Sequence, residues 1–143
     1  MKISTKTRHA LRMMLDFALH RGEGFISLRD VSTRMGVSKT YLEQIMMQIN
    51  KTELLTAARG AAGGYKLARS ADQCTVGDVL RAMDGNLSVF ASEEEAPGGD
   101  RLSLMADGVW AELEALITQR LDSLTLQDIL DRNQSWAGYD YSI

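Results

Sequence analysis

The alternation of apolar and polar positions divides the chain into six helical stretches and one hairpin. Between Thr5 and His20 the apolar residues Ala10, Met13, Met14, Phe17 and Ala18 recur at the spacing of one helix face, with Lys6, Arg8 and Arg12 on or near the opposite side. Gly22 and Gly24 close this stretch. Leu28, Val31 and Met35 form the next stripe, behind an N-cap at Ser27 and with Asp30 adding negative charge to the first turn. Gly36 suits a left-handed turn, Val37 can plug the corner, and Ser38 can cap a third helix whose stripe is Leu42, Ile45 and Ile49. A helix, a short glycine turn and a capped second helix make the helix-turn-helix pattern, which ordinary helical hairpins share.

Leu54 to Ala58 alternates in part, Arg59 to Gly64 is rich in glycine, and Tyr65 to Leu67 resumes an extended pattern. Two strands around a flexible tip predict a hairpin, and a hairpin after a helix-turn-helix makes it winged. Residues 68–73 read as a polar linker, and Thr75 as the cap of a helix through Val76, Val79, Leu80 and Met83. Residues 85–100 read as the least structured part, and within them Ser92 to Gly99 has little to bury and reads as a mobile acidic loop. Leu102, Met105, Val109, Leu113, Leu116 and Leu121, widened by Trp110 and Ile117, predict a long helix over 101–122. At 1.5 Å per residue it spans roughly 33 Å, more than so small a body needs. Its wide stripe suggests pairing with a second copy, the alternative being packing onto its own domain. Thr125 caps a last helix over 126–132, with Asp128 in its first turn. The expected fold is mainly α with a small β-hairpin. A winged helix-turn-helix DNA-binding domain covers 1–70; a connecting helix, acidic loop and dimerisation helix cover 71–132; a tail covers 133–143.

Charge changes this picture most. The net charge of −3 over 143 residues does not suggest a DNA binder. Residues 1–69, however, hold 12 Lys/Arg against 5 Asp/Glu, and residues 70–143 hold 4 against 14, so +7 is set against −10. The basic half can gain affinity by displacing phosphate counterions; solubility alone is the plainer explanation. No run reaches the roughly 18 apolar residues of a membrane span, and the N-terminus lacks a signal-peptide core, so a soluble cytoplasmic protein is expected. The single cysteine excludes an intramolecular disulfide.

The candidate chemistry is recognition rather than catalysis. Lys39, Thr40, Glu43 and Gln44 fall away from the apolar stripe of the third helix, as groups that bond bases or phosphates do. Arg59 at the wing suits a narrow minor groove. A phosphate-cradling nucleotide loop is rejected for Gly60 to Gly64, because no helix and no Lys-Ser/Thr pair follow. His9 and His20 lie in no metal-ligand cluster, and no nucleophile–base pair emerges, so an enzyme is not expected. Cys74 is either a small hydrophobe or a redox-sensitive thiol.

These residues resemble the Rrf-two family of bacterial winged-helix regulators. The likeness lies in Met1-Lys2-Ile3-Ser4-Thr5-Lys6, Tyr41-Leu42-Glu43-Gln44, Arg59-Gly60-Ala61-Ala62-Gly63-Gly64-Tyr65, Val76-Gly77-Asp78-Val79-Leu80 and the Thr125-Leu126-Gln127-Asp128 helix start. It implies a homodimer on double-stranded DNA, read by the helix holding Ser38, Tyr41, Glu43 and Gln44 and by the wing from Arg59 to Gly64. With the residue-level reading, the candidate DNA contacts are Lys2, Ser38, Lys39, Thr40, Tyr41, Glu43, Gln44, Arg59, Gly60 and Gly63. Cluster-binding members carry three cysteines in the loop matching 85–100, where this chain has none. No iron–sulfur cluster or other cofactor is therefore expected. The cluster-free repressors of cysteine metabolism share the acidic loop and a final isoleucine. Likeness to them implies control of cysteine and sulfur-assimilation genes, with cysteine synthase as a possible partner. The tail Tyr139-Asp140-Tyr141-Ser142-Ile143 resembles peptides that dock in that enzyme, which makes Tyr141, Ser142 and Ile143 candidate partner contacts. Packing of the tail on the dimer body is the alternative. An interaction protein acting through this tail, or a thiol-switched repressor, remain the competing functions.

Overall fold

The computed structural model describes residues 2–87 and 100–134. Most of the expected acidic loop and residues 135–143 of the tail, with Tyr141, Ser142 and Ile143, lie outside the described residues. Helices α1 (Thr5–Leu19), α2 (Leu28–Met35) and α3 (Lys39–Ile49) precede strands β1 (Leu55–Ala58) and β2 (Gly64–Leu67). Helices α4 (Val76–Asp84), α5 (Arg101–Ser123) and α6 (Leu126–Arg132) follow.

The first helix buries the face its spacing predicts: Ala10, Met13, Met14, Phe17 and Ala18 are all fully inaccessible. Thr7 joins them, because its hydroxyl donates to the Asp84 carboxylate at the end of α4 (3.0 Å). This bond stands in for the water that a buried hydroxyl loses. Of the three basic residues expected opposite the core, Lys6 is half-buried, and Arg12 donates to the Met35 carbonyl (3.3 Å) at the end of α2. Arg8 is exposed. A bidentate pair from Arg34 to Asp16 (2.8 Å for each bond) ties α2 to α1, and that bonding holds the Arg34 guanidinium above its ordinary pKa.

The helix-turn-helix forms as the local signals require. Ser27 and Ser38 cap α2 and α3 through their hydroxyls, at 3.1 Å from Asp30 N and Tyr41 N. Between the helices Gly36 sits at φ 70°, ψ 29°, where a side chain would be strained and glycine is not. Val37 is half-buried at the corner.

Two helix starts of the same pattern join the later half to this core. Thr75-Val76-Gly77-Asp78 and Thr125-Leu126-Gln127-Asp128 each form a capping box, with hydroxyl and carboxylate satisfying each other's backbone N–H groups. The two boxes lie antiparallel. Val76 N donates to Leu124 O (2.8 Å) and Leu126 N to Cys74 O (2.9 Å). Leu126 is fully buried and Val79 is inaccessible, both in the same cluster as Phe17, Leu42 and Ile45. The expected polar linker contains a short 3-10 turn, Ala71–Gln73, because Ala71 is buried in that cluster as well.

Helix α5 differs from all the others in having no buried residue. Leu102, Met105, Val109, Trp110, Leu113, Leu116 and Ile117 are exposed, from 74% at Leu102 to 38% at Ile117. Only its C-terminal end meets α4, where Arg81 and Asp122 pair at 2.6 and 2.8 Å. Both partners are largely exposed, so the pair contributes little beyond orientation.

Thr75→Ala and Thr125→Ala should each cost about 1 kcal/mol, the usual worth of a capping hydroxyl. The double variant should depart from their sum, because the two caps touch; urea melts of the single and double variants measure this. Arg81 holds the Asp122 carboxyl below its ordinary range, and the Thr125 backbone N–H does the same for Asp128. A carboxyl lowered in the folded state stabilises above its unfolded pKa and loses that contribution as pH falls through the folded value. Melting temperature should therefore fall below about pH 4, and less steeply in Asp128→Asn; an equal slope would show that Asp128 carries none of it.

Candidate nucleic-acid interface

Helix α3 has two faces because most of its apolar residues, though not Met47, point inward. Leu42, Ile45, Met46 and Ile49 are buried, so Lys39, Thr40, Glu43 and Gln44 are left exposed on the far side. Ser38 is exposed and occupied as the N-cap. Lys39 Nζ and Glu43 Oε1 lie 3.7 Å apart along the helix, with both side chains more than half exposed. A pair this wet is readily exchanged for a phosphate or a base.

Tyr41 is placed differently from the other candidates. It is half-buried against the core, and its hydroxyl lies 2.8 Å from His9 Nδ1 of α1, with the rings edge to face at 5.3 Å. Tyr41 therefore braces α3 on α1, which sequence spacing does not reveal because the partner is far along the chain. His9, half-buried on α1, is the other half of this brace.

The wing is a two-stranded antiparallel hairpin with Leu55 opposite Leu67 and Ala58 opposite Gly64. Arg59 and Gly60 are exposed at the tip, with Gly60 at φ 104°. The wing is strapped to the segment before α2 by reciprocal bonds, Ile26 N to Tyr65 O and Tyr65 N to Ile26 O, both 2.8 Å. The strap leaves no room for side chains. A methyl group at Gly64 would overlap the Ile26 carbonyl, and one at Gly63 the Ala58 carbonyl. Lys66 lies over the Phe25 ring, 4.6 Å from its centroid.

Between α3 and the wing runs an open cleft of about 540 Å³. Of the candidates, it brings together Lys39, Glu43 and Gly63. Thr40 and Gln44 lie further round the exposed arc of α3, and Arg59 and Gly60 mark the wing tip. Lys2 is exposed ahead of α1 and does not line the cleft. Arg29, Met47 and Asn50 line it and were not among the sequence candidates. Met47 was legible as the continuation of the Thr40, Glu43, Gln44 spacing, whereas Arg29 lines the cleft from the start of α2, beside Ser27 and Leu28.

A winged helix-turn-helix with a polar recognition arc and a basic-edged cleft is the frame of a DNA-binding transcriptional regulator. Residues 3–132 match the Rrf2 family, described as "Iron-dependent Transcriptional regulator", and the chain belongs to that family. It is 36% identical over 136 residues to the HTH-type transcriptional regulator IscR of Sodalis glossinidius, covering 94% of this chain and 81% of that protein. Among solved structures, CymR of B. subtilis, "the Global Cysteine Regulator", superposes with a TM-score of 0.79 at 34% identity, over 92% of this chain and 98% of that one. IscR of T. potens gives 0.73 at 36% identity, over 92% and 88%. These relatives are regulators, not enzymes. Among the described residues, no helix is long and apolar enough to cross a membrane.

The residues present do not fit a cysteine-ligated iron–sulfur cluster, one form the iron dependence in the family description could take. A cysteine-ligated cluster needs several thiolates, and this chain has one cysteine. Cys74 is 3% exposed, and burial, reinforced by the Asp78 charge, pushes its thiol up to about 11. Among the described residues, no three His, Cys, Asp or Glu side chains converge as metal ligands. The same burial works against Cys74 as a fast redox sensor, because the thiolate is the reactive form.

Gly64→Ala should destabilise the protein by at least about 2 kcal/mol, since the added methyl meets backbone rather than a movable side chain. Amide exchange should speed up at Ile26 and Tyr65. Unchanged protection at those two amides would show that the strap does not depend on Gly64.

Proposed function

We propose that the chain is a homodimeric repressor that occupies a two-fold operator, with α3 in the major groove and the wing in the flanking minor groove. The observation that carries this reading is the cleft between α3 and the wing. Its rim joins Lys39 and Glu43 to the wing glycines, and the exposed arc of α3 continues past it. In this reading Ser38, Lys39, Thr40, Glu43 and Gln44 meet bases and phosphates, Tyr41 fixes the tilt of α3, and Lys2 meets backbone. Arg59, Gly60 and Gly63 bring the wing close to the neighbouring groove. The uncovered stripe on α5 supports the dimer, because an exposed apolar face of that length calls for a partner. Two copies of α3 would then lie about one helical turn of DNA apart, roughly 34 Å.

The regulated genes are proposed to be those of cysteine and sulfur assimilation, on the likeness to CymR and the absence of loop cysteines. Cysteine synthase is proposed as a partner through Tyr141, Ser142 and Ile143, on the tail's resemblance to its docking peptides. One experiment addresses both: genomic DNA captured by the purified protein is sequenced with and without cysteine synthase. Capture of sites ahead of sulfur genes, altered by the enzyme, is expected. Sites unrelated to sulfur metabolism would sink the gene assignment, and identical capture in both arms would sink the partnership.

Arg59→Ala should weaken operator binding and lower the slope of log affinity against log salt by about one unit per wing; a titration showing the wild-type slope would remove the wing from the interface. Leu116→Glu should convert the dimer to a monomer in sedimentation velocity without loss of helix content. A dimer of wild-type stability would show that α5 is not its seam.

A further inference from the structure

Met47 is 68% exposed on α3, although methionine side chains normally gain by burial. The other large hydrophobics exposed among the described residues are Leu19 and residues of α5. Met47 therefore belongs to neither the core nor the α5 stripe. Thr40 lies three and four residues before Glu43 and Gln44, Met47 lies four and three residues after them, and all four are exposed. They form a single line opposite Leu42, Ile45, Met46 and Ile49. From Thr40 to Met47 that line rises about 10 Å, roughly three base-pair steps of 3.4 Å. Met47 also lines the cleft beside Glu43, one turn further along the same side.

We propose that Met47 is a specificity-determining residue that contacts the C5-methyl group of a thymine, next to the base pair faced by Glu43. This rests on the reading of α3 as the groove-entering helix. A thioether has no donor to offer a base edge and is a weak acceptor. The apolar group that the major groove presents is the thymine methyl. Three rotatable bonds and a polarizable sulfur let the side chain settle on it. Against guanine the same side chain would take water from O6 and N7 and return no hydrogen bond, so G·C is disfavoured at this position.

The test uses a duplex selected from randomised DNA by the full-length wild-type protein, with each thymine replaced in turn by uracil, which lacks only the methyl. Uracil at one position in each half-site should weaken wild-type binding about four-fold per half-site, the equivalent of one buried methyl at ~0.8 kcal/mol. Met47→Ser should bind the thymine and uracil duplexes equally, and Met47→Leu should keep most of the discrimination. The position is exposed, so both variants should melt as the wild type does. A wild-type protein indifferent to uracil at every thymine, or a Met47→Ser protein with the wild-type profile, overturns the proposal while leaving α3 as the DNA reader. A wild-type protein that selects no sequence overturns both.

Discussion

The antiparallel contact between the Thr75 and Thr125 caps fixes how the later half of this regulator is held together, and with it how α4 and α6 reach the core. Each box leaves its first helical N–H pointing outward, and each of those two N–H groups finds a carbonyl beside the other box. The contact places Val79 and Leu126 in the core that α1 and α3 build. It also sets the end of α5, whose final turn runs into Leu124, the acceptor of the Val76 N–H. The end of α5 thus meets α4 and runs on into α6, and α4 and α6 both pack on α1. The chain has a short physical route from its uncovered helix to its recognition helix.

That route ends at α3, which is held from several sides. Its apolar stripe lies on the core, Tyr41 bonds His9 of α1, and the preceding turn is set by Gly36. The wing is held separately, by the Ile26–Tyr65 bonds that run back to the start of α2. These two elements therefore share one support, the α1–α2 unit, although α3 and the wing lie next to each other along the chain. The basic half carries α3 and the wing, and the acidic half carries α5.

Much of this was legible because its causes are local. Ser27, Ser38, Thr75 and Thr125 cap helices through bonds that span three residues, and all four were readable in advance. The α1 face and the hairpin follow from spacing and glycine placement in the same way. The candidate site was legible as far as an exposed arc of polar residues on α3 and a glycine-bearing wing. Less visible were the inward turn of Tyr41 towards His9 and the entry of Arg29 into the cleft. Each depends on a partner that a local pattern does not contain.

Helix ends, apolar stripes and the charge split were written in residue order, since backbone N–H groups and periodic side chains are satisfied by near neighbours. The joining of Thr75 to Thr125, the strap between Ile26 and Tyr65, and the facing of α3 and the wing across one cleft arise only when distant segments pack. Their energy comes from pairs that the linear chain keeps apart. The uncovered face of α5 belongs to both accounts: its stripe is periodic in the chain, and only packing shows that the core leaves it open.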